Sequence, residues 1–202
     1  KLNTSGSAIV GSTYFGGNGN DGINGSAATA FNYGDDSRSD VAIDNTGNIY
    51  ITSTTSSNNI PNTSGRAQTA YSGGETDGVL AKFNADLSVL NWASYFGGSS
   101  ADAAYSIGLD KANNIFICGG TESNNIPGTS NGLNTTSRGG TTDGFVAKFN
   151  NNGTSVLAAT YLGTNVYDQA YILDLDKNDN VYIFGQTLGA YPVTAGVYSN
   201  SN

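Results

Sequence analysis

The strongest constraint on this chain is a spacing. Thr76-Asp77-Gly78-Val79-Leu80-Ala81-Lys82-Phe83-Asn84 returns 66 positions later as Thr142-Asp143-Gly144-Phe145-Val146-Ala147-Lys148-Phe149-Asn150. The same step carries Ile43-Asp44 with Asn48-Ile49-Tyr50-Ile51 to Leu109-Asp110 with Asn114-Ile115-Phe116-Ile117. A second step of 66 carries it on to Leu175-Asp176 with Asn180-Val181-Tyr182-Ile183. Asn58-Asn59-Ile60-Pro61 becomes Asn124-Asn125-Ile126-Pro127, and Tyr191-Pro192 follows one residue short. A period held this long belongs to a stacked or radial repeat architecture.

Within one unit the apolar segments are short and extended: 78–83, 87–96, 103–109 and 114–119. Each is rich in β-branched or aromatic residues and bounded by Asn, Asp and Gly, so each reads as a strand. Links as short as 84–86 and 111–113 force neighbouring strands to run antiparallel. Four antiparallel strands at a fixed period describe a propeller blade. A helical solenoid would need a 3.6-residue periodicity, which is missing, and a sandwich would not repeat at 66. The expectation is an all-β chain of about three blades belonging to a larger propeller, with blades at roughly 1–60, 77–126 and 143–192.

Composition narrows the chemistry. Of 202 residues, 28 are Gly and 26 are Asn, while only 12% are charged, so polarity comes from turn-forming residues. A net charge of −8 repels nucleic acid phosphates and anionic membrane surfaces. The longest apolar runs have four residues, against the ~20 of a membrane helix, so membrane insertion is not expected. With no His and one Cys, Ser–His and Cys–His catalysis, an internal disulfide and most nitrogen- or sulfur-based metal sites are excluded. Cys118, in an Ile-Phe-Ile-Cys strand without a base, reads as a small core residue.

The ordered set Asp-Gly-Phe-Val-Ala-Lys-Phe-Asn, Ala-Thr-Tyr-Leu-Gly, Leu-Asp-Lys-Asn-Asp-Asn-Val-Tyr-Ile and Tyr-Pro-Val-Thr-Ala-Gly-Val-Tyr resembles the SBBP repeat of seven-bladed β-propellers. So do the Tyr-Phe-Gly-Gly corners at 14–17 and 95–98. The resemblance implies a secreted or surface-attached bacterial protein and no catalytic residue. Two departures stand out. The corner at Leu162-Gly163-Thr164 lacks its second Gly. The first unit carries 15 extra residues, since Tyr14 to Asp44 spans 30 positions where Tyr95 to Asp110 spans 15. Lys1-Leu2-Asn3 aligns with Lys82-Phe83-Asn84, so the chain is expected to be either a piece of a longer propeller or a partial ring completed by further copies.

Propeller geometry sends the long connections, residues 53–76 and 121–142, and the insertion around 18–33 to one face, which marks it as the binding face. Candidate ligand residues there are Phe31 and Tyr33, which could stack on a sugar, and the carboxylates Asp36, Asp102 and Asp168. Asp77 and Asp143 recur beside them. The alternative for each Asp is a cap on backbone N–H groups at a blade corner. No cofactor is expected, with one exception: Ca²⁺, for which Asp174, Asp176 and Asp179 supply oxygen density without the sixth-position Gly or closing Glu of an EF-hand. A structural turn is the competing reading there. Lys82 and Lys148 would line a channel if their strand were innermost, or else pair with a blade Asp. The partners expected are a cell-surface protein or carbohydrate, together with the remaining blades or a second copy. Three functions follow in order: an extracellular binding module, a pure scaffold segment, and a carboxylate glycosidase. The glycosidase ranks last because repeated carboxylates lack the distinct environments that catalysis needs.

Overall fold

In the computed structural model, residues 1–31 and 33–199 are described, the side chains of Tyr33 and Gly34 excepted. Ten strands form three antiparallel sheets. The first joins β1 (Asp40–Ile43), β2 (Ile49–Thr55), β3 (Asp77–Phe83) and β4 (Leu90–Phe96); the second joins β5 (Asp102–Leu109), β6 (Ile115–Thr121), β7 (Asp143–Phe149) and β8 (Val156–Leu162). The third holds β9 (Asp168–Leu175) and β10 (Val181–Thr187). Strand bounds fall within three residues of those read from the repeat. The pairing of β2 with β3 and of β6 with β7 is the same register shifted by 66, with Thr55 opposite Asp77 and Thr121 opposite Asp143.

The phase of the sheets differs from the units drawn on the sequence. Each complete sheet starts at the strand pair that flanks the Asp44 or Asp110 turn (40–55, 102–121) and ends with the Asp-Gly strand and its neighbour (77–96, 143–162). The blades proposed at 77–126 and 143–192 therefore each straddle two sheets. The repeat fixes a period but not an origin. The link between Phe96 and Asp102 is short and looks like a hairpin, yet it passes between sheets, whereas the 21-residue link from Thr55 to Asp77 stays within one.

Strands β1, β5 and β9 gather at the centre. There Ser106 Oγ donates to Asp40 Oδ2 at 2.7 Å, and the Leu173 N–H donates to Ser106 Oγ at 3.2 Å, stitching the three sheets together. The main core fills the space between the first two sheets: Tyr50, Leu80, Trp92 and Phe96 meet Ile115, Ile117, Phe145 and Phe149. Phe96 lies 5.0 Å from Phe145 and 5.6 Å from Phe149, centroid to centroid. Phe116, Cys118, Ala170 and Leu173 continue it between the second and third sheets. Cys118 is fully buried, as its apolar strand suggested.

The long connections do not project from a face. Residues 62–68 run back along β4, where Ala93 and Tyr95 donate backbone N–H groups to Asn62 and Gln68. Residues 128–134 do the same along β8, with Ala159 and Tyr161 donating to Gly128 and Asn134. The outer edges are thereby covered, which is how sheet proteins blunt edge-to-edge aggregation. The motif tyrosines hold these connections in place: Tyr95 OH accepts from the Ile60 N–H at 2.9 Å and donates to Ser57 O, and Tyr161 OH accepts from the Ile126 N–H. This is why Tyr and Asn-Ile-Pro recur together.

Candidate functional site

The recurring carboxylates are buried turn holders. Asp102 Oδ2 accepts the Gly98 N–H at 2.7 Å and the Ser123 hydroxyl at 2.9 Å, while Oδ1 accepts from Thr121. Asp168 Oδ2 accepts both the N–H and the hydroxyl of Thr164, at 2.6 and 2.9 Å. The threonine hydroxyl takes over at the corner that lacks the second Gly. In the first unit this role falls to Asp21, which accepts from Gly17 N, Thr55 Oγ1 and Ser57 Oγ at 2.8, 2.5 and 3.0 Å. Counting back by 66 from Asp102 reaches Asp36, but Asp36 is exposed in a 3-10 helix (Tyr33–Ser37). The correction has a simple cause: the 15 extra residues enter after the corner Asp, not before it. Counting seven positions from Tyr14, as from Tyr95 to Asp102, finds Asp21 directly.

A second carboxylate faces each of two corners. The Cβ direction of Gly97 ends 2.5 Å from Asp77 Oδ1 and 2.7 Å from Asp102 Oδ2. At Gly163 the corresponding oxygens of Asp143 and Asp168 lie at 2.6 and 2.9 Å. Glycine is required here by close approach alone. Burial pushes Asp77 up to about 7, against the bond from Ser72 N and with the Asp102 charge adding to the rise. Burial likewise takes Asp102 to about 6. Perturbed carboxylates often mark catalysis, but both side chains are fully buried.

At the opposite end, Asp44, Asp110 and Asp176 each close a turn. Asp176 accepts Asn178 N, Asn180 N and Asn180 Nδ2 at 2.7, 3.0 and 2.9 Å, matching the bonds of Asp110 to Ala112 and Asn114. Asp174 instead accepts its neighbour's Leu175 N–H, and Asp179 accepts Lys111 N from the adjacent sheet. The three are not brought to one point. Among the described residues no group of three or more acidic, Cys or His side chains could hold a metal ion. Lys82 and Lys148 occupy the third strand of their sheets, not the innermost. Their ammonium groups lie 3.6 and 3.0 Å from Asp44 and Asp110, and 4.7 Å from the ring centroids of Tyr50 and Phe116.

Residues 22–31 and 33–38 cross the innermost strands. Asn24 Nδ2 donates to Tyr105 OH at 3.1 Å; the Thr29 carbonyl accepts from Tyr105 OH and Gln169 Nε2 at 3.0 and 2.6 Å; and Thr142 Oγ1 donates to Ala28 O. Fully buried Asp35 pairs with Arg38 at 3.0 Å, and the guanidinium sits 4.1 Å over the Tyr171 ring. Phe31 rests against Tyr167, with centroids 4.6 Å apart, and stays 55% exposed. Sequence reasoning singled out Phe31 but missed Asp35 and Arg38, whose importance depends on contacts with distant units. The proposed partner of Phe31, the Tyr33 side chain, lies outside the described residues.

Comparison with known families agrees with the repeat. Residues 91–127 match the SBBP family, described as a beta-propeller repeat. The matched stretch runs from β4 through the corner, β5 and β6 to the Asn-Ile-Pro exit. No curated protein matches the chain.

Proposed function

We propose that this chain is a non-enzymatic, extracellular repeat module that binds a glycan or a protein surface through the face crossed by residues 22–38. The observation that carries this reading is the combination at Phe31: a large ring left 55% exposed on a segment whose neighbours are fixed by buried bonds to the second and third sheets. An aromatic anchor held on an ordered segment loses little conformational freedom on binding, which is what makes such residues effective contact points. The carboxylates, in contrast, are committed to turns. Asp77 and Asp102 lie out of reach of a sugar, and their arrangement recurs at Asp143 and Asp168, which argues against a glycosidase pair.

The test is a glycan and surface-protein array probed with the chain and with Phe31→Ala. Saturable binding that the substitution weakens at least tenfold, with an unchanged circular dichroism spectrum, supports the proposal; equal binding by both removes Phe31 from the site. A pure scaffold segment is the second reading, favoured by the use of the 56–76 and 122–142 connections to seal sheet edges. It predicts no saturable binding at all.

A further inference from the structure

Repeat symmetry makes its own exceptions visible. The chain has two glutamates, Glu75 and Glu122, and one period on their places are taken by Thr141 and Leu188. Both glutamates line a single pocket of about 430 Å³ at the corner between the first and second sheets, together with Ser26, Ala28, Ser100 and Ala101. Buried Ala101 leaves room there because it stands where the next corner carries Tyr167. At that next corner, where Val166 and Leu188 replace Ser100 and Glu122, the ring of Phe31 from the crossing segment packs on Tyr167. One position in the fold thus seats a side chain from outside the blades at an apolar corner, and the same position one blade earlier is open and acidic.

Neither glutamate has a basic partner. The ion pairs of the described residues join Asp35, Asp44 and Asp110 to Arg38, Lys82 and Lys148, whereas the Glu122 carboxylate accepts the Ser26 hydroxyl. Beneath the pocket, the Thr76 carbonyl accepts the Asp102 N–H, but the buried Thr76 hydroxyl has no partner. Its counterpart Thr142 gives its own hydroxyl to the Ala28 carbonyl at 2.9 Å.

We infer that this pocket is a socket for the guanidinium of an arginine in a partner polypeptide. The inference rests on the reading of this face as a protein-binding surface and names the chemistry of its partner. Two carboxylates without counter-ions, on a chain of net charge −8, draw a cation. A guanidinium presents a planar fork of N–H donors, which both carboxylates and the Ser100 and Thr76 hydroxyls can accept. Calcium would want roughly six to eight oxygens, and among the described residues no third acidic, Cys or His side chain joins the pair.

The probe is the blocked tripeptide acetyl-Gly-Arg-Gly-amide, titrated into the full chain and followed by backbone amide NMR shifts. Its control, acetyl-Gly-citrulline-Gly-amide, keeps the shape without the charge. Saturable shifts centred on Glu75, Ser100 and Glu122 are expected with the arginine peptide and at least tenfold weaker binding with citrulline. The double variant Glu75→Thr with Glu122→Leu should weaken arginine binding at least tenfold. Those are the residues that the repeat itself carries at 141 and 188, so the same fold already accommodates them. Equal affinity for the two peptides, no saturable shift, undiminished binding by the double variant, or the same shifts produced by calcium chloride alone overturns the inference. If the array finds a partner whose binding ignores the double variant, the reading of the face stands and the arginine socket falls. If the tripeptide binds as described while the array finds no partner, the socket stands and that reading falls.

Discussion

Two carboxylates that face one glycine make the stability of this protein depend on pH in an unusual direction. A carboxyl whose folded pKa exceeds the unfolded value of ~4 holds its proton more tightly when folded, so its contribution is complete in acid and is lost as pH rises through the folded pKa. Asp77 at about 7 and Asp102 at about 6 place that loss between pH ~4 and ~7. Asp44 and Asp110 act with the opposite sign. Burial works against their charge, but bonds from Asn48 and Thr46, and from Asn114 and Lys148, outweigh it and hold both below the usual carboxylate range. Their contribution is present above pH ~4 and is lost in stronger acid. The melting temperature should therefore peak near pH ~4–5 and fall toward neutrality. Asp77→Asn should flatten that decline, a comparison that thermal scans from pH 3 to 8 would settle; an unchanged slope would mean that Asp77 is not the group responsible.

At the scale of elements, the Lys-to-Asp pairs link the third strand of a sheet to the turn between its first and second. Asp110 is nearly buried while Lys148 remains partly solvated, so the pair is worth more than an open surface contact but is still screened. Lys148→Met should cost about 1 kcal/mol, from the lost ion pair and the lost contact with Phe116. Urea unfolding followed through the single, buried Trp92 would measure it. Strands and turns were legible in the sequence because alternation, Asn-Gly-rich boundaries and the 66-residue step are local or periodic signals. Which strands share a sheet was not legible. The 97–101 and 56–76 links differ in what they join, and length alone points the wrong way. Nor did the sequence reveal that residues 62–68 and 128–134 would lie along strand edges, because their main-chain bonds leave little trace in side-chain pattern.

Across the whole molecule, residues 22–38 tie one unit to the others through buried polar contacts. Asp35 has no exposure, and removing its charge leaves the Arg38 guanidinium between tyrosine rings without its counter-ion. Asp35→Asn should destabilise the chain by about 2 kcal/mol, less than a fully buried broken pair costs because Arg38 is partly exposed. It should also increase cleavage within 22–38 under limited proteolysis. A stability change without added cleavage would show that the segment is held by its Thr29 and Ala28 bonds alone. The sequence placed an insertion here and singled out Phe31, yet its dependence on Tyr105, Gln169 and Tyr171 comes from residues 76 to 140 positions away.

The half-unit offset between sequence repeat and sheet has a genetic consequence. Excising residues 84–149 would join Phe83 directly to Asn150, and β3 would then meet β8 across a junction with the register that β7 already uses. The Lys of the strand, its Asp partner and the outer strand would all find their counterparts. Recombination between misaligned copies can therefore add or remove one period without leaving a defective sheet at the join, so repeat number in such a gene is free to drift while each surviving blade stays whole.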